Sequence, residues 1–146
     1  MQANTKATFM DFTMLATITT AKNETVGGLL GVLEAMTDAE LDALPFGVIQ
    51  FSEQFLVQRY NRCEALNTGL NAERVIGRHV FTQLAQCMNN FMVAQRFEDA
   101  IATNTPLDAA IDYVLTWRMR PTPVLLRILW SPHASRSGFL VLHRIS

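Results

Sequence analysis

The chain has 146 residues, 49% hydrophobic and 17% charged, which suits one domain with a core of its own and is too short for two. Its 12 basic and 13 acidic residues leave a formal net charge of -1, so it lacks the cationic field that phosphate backbones and anionic membranes attract; nucleic acid and membrane are set aside, and a small molecule or another protein remains as partner. No apolar run reaches the ~18 residues of a membrane span, and the N-terminus lacks a basic segment followed by an apolar one, so a cytoplasmic protein with Cys63 and Cys87 as free thiols is expected.

Residues 1–28 mix threonines with scattered large apolar residues, keep no period and stop at Gly27-Gly28, which reads as an arm or cap ahead of a domain spanning 29–146. Leu29, Leu30, Val32, Leu33 and Met36 share a helical face, and Thr37 with Glu40 forms a capping-box pattern ahead of Leu41 and Leu44, so two short helices are predicted. FGVIQFS and FLVQRY are β-prone runs around a polar turn near Glu53, a hairpin signature. From Asn61 to Gly77 short helical turns are expected, with Asn71 as an N-cap and Gly77 as a stop. Phe91, Met92, Ala94, Phe97 and Ile101 are spaced as on one longer amphipathic helix ending near Asn104.

Beyond it the pattern returns to sheet. Ile111, Tyr113, Leu115, Trp117 and Met119 alternate with Asp112, Val114, Thr116 and Arg118, so one face of that strand points at a core. TPVLLRILW and GFLVLHRI follow around the turn-rich SPHASRS. Helices, two strands, a helical middle and three strands, without βαβ alternation, predict an α+β fold with a five-stranded antiparallel sheet.

Taken alone, Cys87 in FTQLAQCMNNF reads as a small buried hydrophobe, Cys63 as packing, and Thr68 before Gly69 as a turn residue. His79, His133 and His143 are scattered with no metal-site spacing, so no metal is expected. A hydrolase built on Cys87 needs an oriented base, and His79 is the only candidate near it in sequence, so the chain is not read as an enzyme.

A helical insertion after the second strand is the layout of a PAS domain. The stretches MTDAELDALPFGVIQ, RYNRCEALNTG, VIGRHVF, FTQLAQCMNNF and WRMRPTPV together make the chain, from about Met36 onward, resemble the photoactive yellow protein family of blue-light sensors. The resemblance implies a PAS fold with an N-terminal helical cap. It also implies a p-coumaric acid cofactor, carried as a 4-hydroxycinnamoyl thioester on Cys87. Tyr60 and Glu64 would grip the phenolate oxygen with Thr68 behind them, and Met119 would assist dark recovery. Tyr60 and Glu64 can converge if the chain between them turns helically, because i and i+4 side chains share a face.

A phenol ionises only near pH 10, so a phenolate at neutral pH calls for donors in a closed site, and a buried Glu64 is expected to be protonated and to serve as one. Light would isomerise the pigment, Glu64 would release its proton, and the new charge would loosen the cap. The chain departs from the family pattern close to the site. Leu70 stands in place of an arginine that covers the pigment, Gln86 in place of a proline, Val80 in place of a phenylalanine, and Trp117 in place of a tyrosine. No output element follows Ser146, so the signal is expected to pass to a downstream signalling protein or through the N-terminal arm. The alternative is a PAS module without pigment that binds a non-covalent ligand, contacts another protein or forms a homodimer.

Overall fold

In a computed structural model, which describes residues 28–116, 120–133 and 136–144, the chain opens with helix α1 (Gly28–Ala35) and helix α2 (Asp38–Asp42). Strands β1 (Gly47–Ser52) and β2 (Val57–Tyr60) follow, then helices α3 (Arg62–Thr68) and α4 (Ala72–Val75). A π-helical turn (Val80–Leu84), a 3-10 turn (Gln86–Met88) and helix α5 (Ala94–Thr103) lead to strands β3 (Leu107–Leu115), β4 (Thr122–Trp130) and β5 (Ser137–Arg144). The reading of residues 1–28 as an arm falls outside the described residues except for Gly28, which opens α1.

The five strands form one antiparallel sheet in the order β2-β1-β5-β4-β3. Because β2 and β3 lie at opposite edges, the segment joining them has to cross the full width of the sheet, and it lays its turns and helices over one face. Val75, Phe81, Leu84, Met88 and Phe97 from this insertion pack on Ile49, Leu126, Ile128, Leu140 and Leu142. The other face is covered by the N-terminal cap, where Leu29, Leu33, Leu41 and Leu44 pack on Val48, Leu129, Phe139 and Val141. Strands covered on both sides bury successive residues, which explains why GFLVLHRI shows no polar alternation.

Local chemistry sets the boundaries. Thr37 and Glu40 close the expected capping box on α2: the Glu40 N–H donates to Thr37 Oγ1 and the Thr37 N–H to Glu40 Oε1. The cap is tied to the sheet by Arg59 of β2, whose guanidinium donates to the carbonyls of Met36 at 2.7 Å and Leu33 at 2.9 Å, satisfying acceptors at the open end of α1. Ahead of α5 the structure corrects the expectation. Phe91 and Met92 precede that helix rather than riding on it, and Phe91 is 79% exposed. The cause is Asn90, whose side-chain oxygen accepts from the N–H groups of Met92 and Val93 and offers the backbone a turn in place of a helix. Asn104, in the left-handed conformation (φ 55°), ends α5 as expected.

Candidate functional site

Helix α3 presents the site. Its N-cap is Asn61, whose side-chain oxygen accepts from the Glu64 N–H at 3.2 Å, and its stop is Gly69 at φ 78°. Between them Glu64 and Thr68 sit one turn apart, so both face the sheet, and both are buried. Glu64 is 3% exposed, and the sheet accommodates it at Gly47, the first residue of β1, where any Cβ would collide with the Glu64 carboxyl oxygen. A glycine at that position is therefore a condition for the carboxyl group lying where it does.

Tyr60 ends β2 beside this helix, and its hydroxyl shares a 2.5 Å hydrogen bond with Thr68 Oγ1. Thr68 Oγ1 also donates back to the Glu64 carbonyl at 3.0 Å. Burial, together with the negative charge of Glu64, pushes the Tyr60 phenol up to about 12 against the lowering effects of the Thr68 bond and Arg144. Cys63, on the outer side of α3, is likewise raised by burial and by Glu64.

Cys87 lies half-buried in the 3-10 turn. Its carbonyl accepts from Tyr113 Oη at 2.6 Å and from Asn90 Nδ2 at 3.1 Å, while Asn90 Nδ2 also donates to Tyr113 Oη at 2.7 Å. The turn carrying the thiol is thereby pinned to β3. The structure brings Cys87, Tyr60, Glu64 and Thr68 into the wall of one cavity, with apolar surface from Ile49, Leu84, Leu115 and Leu142. Met119, the fifth residue expected at the site, lies outside the described residues, as does Trp117.

Glu64 does not stand alone in this wall. Arg144, at the end of β5, donates to it in a fork: Nη1 to Oε1 at 2.7 Å and Nη2 to Oε2 at 3.1 Å. This is the geometry of a guanidinium on a carboxylate. Burial works against the Arg144 charge, but the hydrogen bonds to Glu64 and its charge outweigh that, and the guanidinium is held above its ordinary value. Sequence reading missed Arg144. The available signal was parity: Leu140, Leu142 and Arg144 alternate on one face of β5, the face that carries the cavity. Leu70, at the position of the expected covering arginine, is a half-buried apolar residue packed on the main core. His79 serves the local backbone, where its Nδ1 accepts from the N–H groups of Phe81 and Thr82 and caps the π-helical turn.

The cavity has a volume of about 30 Å³, room for one or two waters. A larger guest fits only if part of the wall moves. The side chain of Arg144 also borders a second, outer hollow of about 550 Å³ together with Asn67, Gly69, Arg120 and Thr122.

An antiparallel five-stranded sheet, crossed on one face by a helical insertion that walls a small buried cavity, defines a PAS-type sensor domain. The PAS domain of nitrogen regulation protein NR(II) from Vibrio parahaemolyticus shares this fold, with a TM-score of 0.53 over 74% of this chain and 96% of that one, at 10% identity. No family model matches the sequence. The photoactive yellow protein of Rhodothalassium salexigens is 37% identical over 89 residues, 61% of this chain and 70% of that protein. The photoactive yellow protein domain from the sensor histidine kinase Ppr of Rhodospirillum centenum superposes with a TM-score of 0.70 at 35% identity, over 77% of this chain and 97% of that one. The chain belongs to the photoactive yellow protein family. Among the described residues no helix is long and apolar enough to cross a membrane.

Proposed function

We propose that this PAS sensor domain is a blue-light receptor that carries p-coumaric acid as a thioester on Cys87. The observation that carries the reading is the shared cavity: one free thiol, one buried carboxyl group and a Tyr60–Thr68 hydroxyl pair open onto the same apolar space. When bound, the p-coumaroyl group supplies blue absorption and a double bond that light isomerises. Cys87 would hold the acyl end, and the Tyr60 hydroxyl and Glu64 carboxyl would grip the phenolate, with Thr68 orienting Tyr60. Met119 is proposed to assist recovery. Glu64 would surrender its proton after light, and until Arg144 returns to it the new carboxylate stands uncompensated in an apolar wall, which costs several kcal/mol, comparable with the net stability of a domain.

The domain works as a non-enzymatic sensor that hands its signal to a partner protein. A homodimer or a kinase of the kind to which the Rhodospirillum centenum domain belongs are two such partners. The test is reconstitution with p-coumaroyl imidazolide: a yellow protein with the added mass on the Cys87 peptide supports the reading. A colourless protein whose Cys87 still alkylates overturns it and favours the second reading, a PAS module without pigment. The small cavity and the engaged Glu64 carboxylate favour that second reading.

A further inference from the structure

We propose that Arg144 is a working residue of this cavity: it holds Glu64 in the ligand-free protein and turns its charge to the phenolate oxygen once Cys87 is acylated, supplying the cation that Leu70 cannot. The inference rests on the p-coumaroyl reading above.

The geometry supplies three supports. Arg144 and Glu64 make a two-pronged pair in the wall that Cys87, Tyr60 and Thr68 share. The Glu64 side chain is 4% exposed and the Arg144 side chain 20%, so the cation stands on the outer side of the pair and the carboxylate on the inner. Arg144 also borders the outer hollow, which gives its stem somewhere to go when the inner space fills. The charged and titratable groups around it are Glu64 and Cys63 of α3, Tyr60 of β2, Cys87 across the inner cavity and Arg120 across the hollow. Glu64 is the one anion among them with a direct contact.

Charge is conserved through the whole sequence. Cys87 Sγ bonds to the acyl carbon of p-coumaroyl imidazolide, the carbon–nitrogen bond breaks, and the thiol proton leaves with imidazole. The Glu64 carboxylate then accepts the phenol proton and becomes a neutral acid. Arg144, released from one oxygen, faces the single negative charge of the phenolate. The sum over Glu64, Arg144 and the aryl oxygen is unchanged, so no uncompensated charge is created in a buried wall. Without Arg144 the same transfer would strand a phenolate. An opposite charge within ~4–6 Å lowers an acid's ionisation midpoint by about 1–3 pH units.

The experiment is a pH titration of the yellow colour in reconstituted wild type, Arg144→Gln and Arg144→Lys, with an infrared readout of the ligand-free proteins. Arg144→Gln should raise the midpoint of pigment ionisation by about 1–3 units, and Arg144→Lys should restore most of that. Ligand-free wild type should lack the carbonyl band of a protonated acid from Glu64, which should appear on acylation and vanish in Glu64→Gln. If Arg144→Gln does not fold, Glu64→Gln is compared with Glu64→Gln/Arg144→Gln, whose buried pair is neutral, and the same displacement is expected. An unmoved midpoint in a yellow protein, or a protonated Glu64 in the ligand-free wild type, overturns the inference and leaves the pigment reading standing. A colourless wild type overturns both.

Discussion

Glu64 of α3 and Arg144 of β5, eighty positions apart in the chain, meet in a two-pronged ion pair in the wall of a cavity that Cys87 also lines. The pair joins the helical insertion to the last strand. Removing one partner strands the other, which costs about 3–5 kcal/mol when both are fully buried. Arg144 is partly exposed, so Arg144→Gln should cost the ligand-free protein about 2–3 kcal/mol. Glu64→Gln/Arg144→Gln should recover part of that. Urea midpoints of wild type and the two variants check it, and equal stability of Arg144→Gln and wild type would show that the pair does not form in solution.

Gly47→Ala places a methyl group on the Glu64 carboxyl oxygen. Overpacking at such a contact costs about 1–3 kcal/mol, and the cost should fall when Glu64 is truncated to alanine, because the worst clash goes with the carboxyl group. A double-mutant cycle over Gly47→Ala and Glu64→Ala measures the coupling. Additive effects would mean that Gly47 serves some other purpose.

Asn61 is the joint between cap, sheet and site. Its side chain accepts from the Val48 N–H at 2.9 Å and caps α3 at the Glu64 N–H, while its amide donates to the carbonyls of Leu41 at 2.8 Å and Phe46 at 3.0 Å. Asn61→Ala loses an N-cap and leaves buried backbone groups unpaired, for a total of about 2–4 kcal/mol. Thermal unfolding measures it, and amide exchange should show the N-terminal cap opening sooner than the rest.

Stability should also fall at high pH through Tyr60. Its phenol ordinarily ionises near 10.0 and is pushed up to about 12 in the fold. The unfolded chain therefore loses this proton first, so the contribution is complete below pH about 10 and is lost as pH rises toward 12. Unfolding midpoints between pH 9 and 12 should decline more steeply in wild type than in Tyr60→Phe.

The strand hairpin, the capping box at Thr37, the Asn71 and Asn104 boundaries and the five-strand count were legible in the sequence because each depends on neighbours within a few residues. Motif resemblance also grouped Tyr60, Glu64, Thr68, Cys87 and Met119, and the first four line one cavity. The break before α5 was not legible, since the side chain of Asn90 competes with an apolar period that continues across it.

The sequence by itself determined the α+β class, the sheet and the kinship with the photoactive yellow proteins, because these follow from local periodicity and short motifs. Only the tertiary structure decided that Arg144 reaches Glu64, that Gly47 makes room for it, and that Tyr113 holds the turn of Cys87. Those contacts are set by which strands lie side by side and by the insertion crossing the sheet from edge to edge, and no local pattern encodes a meeting between residues eighty positions apart.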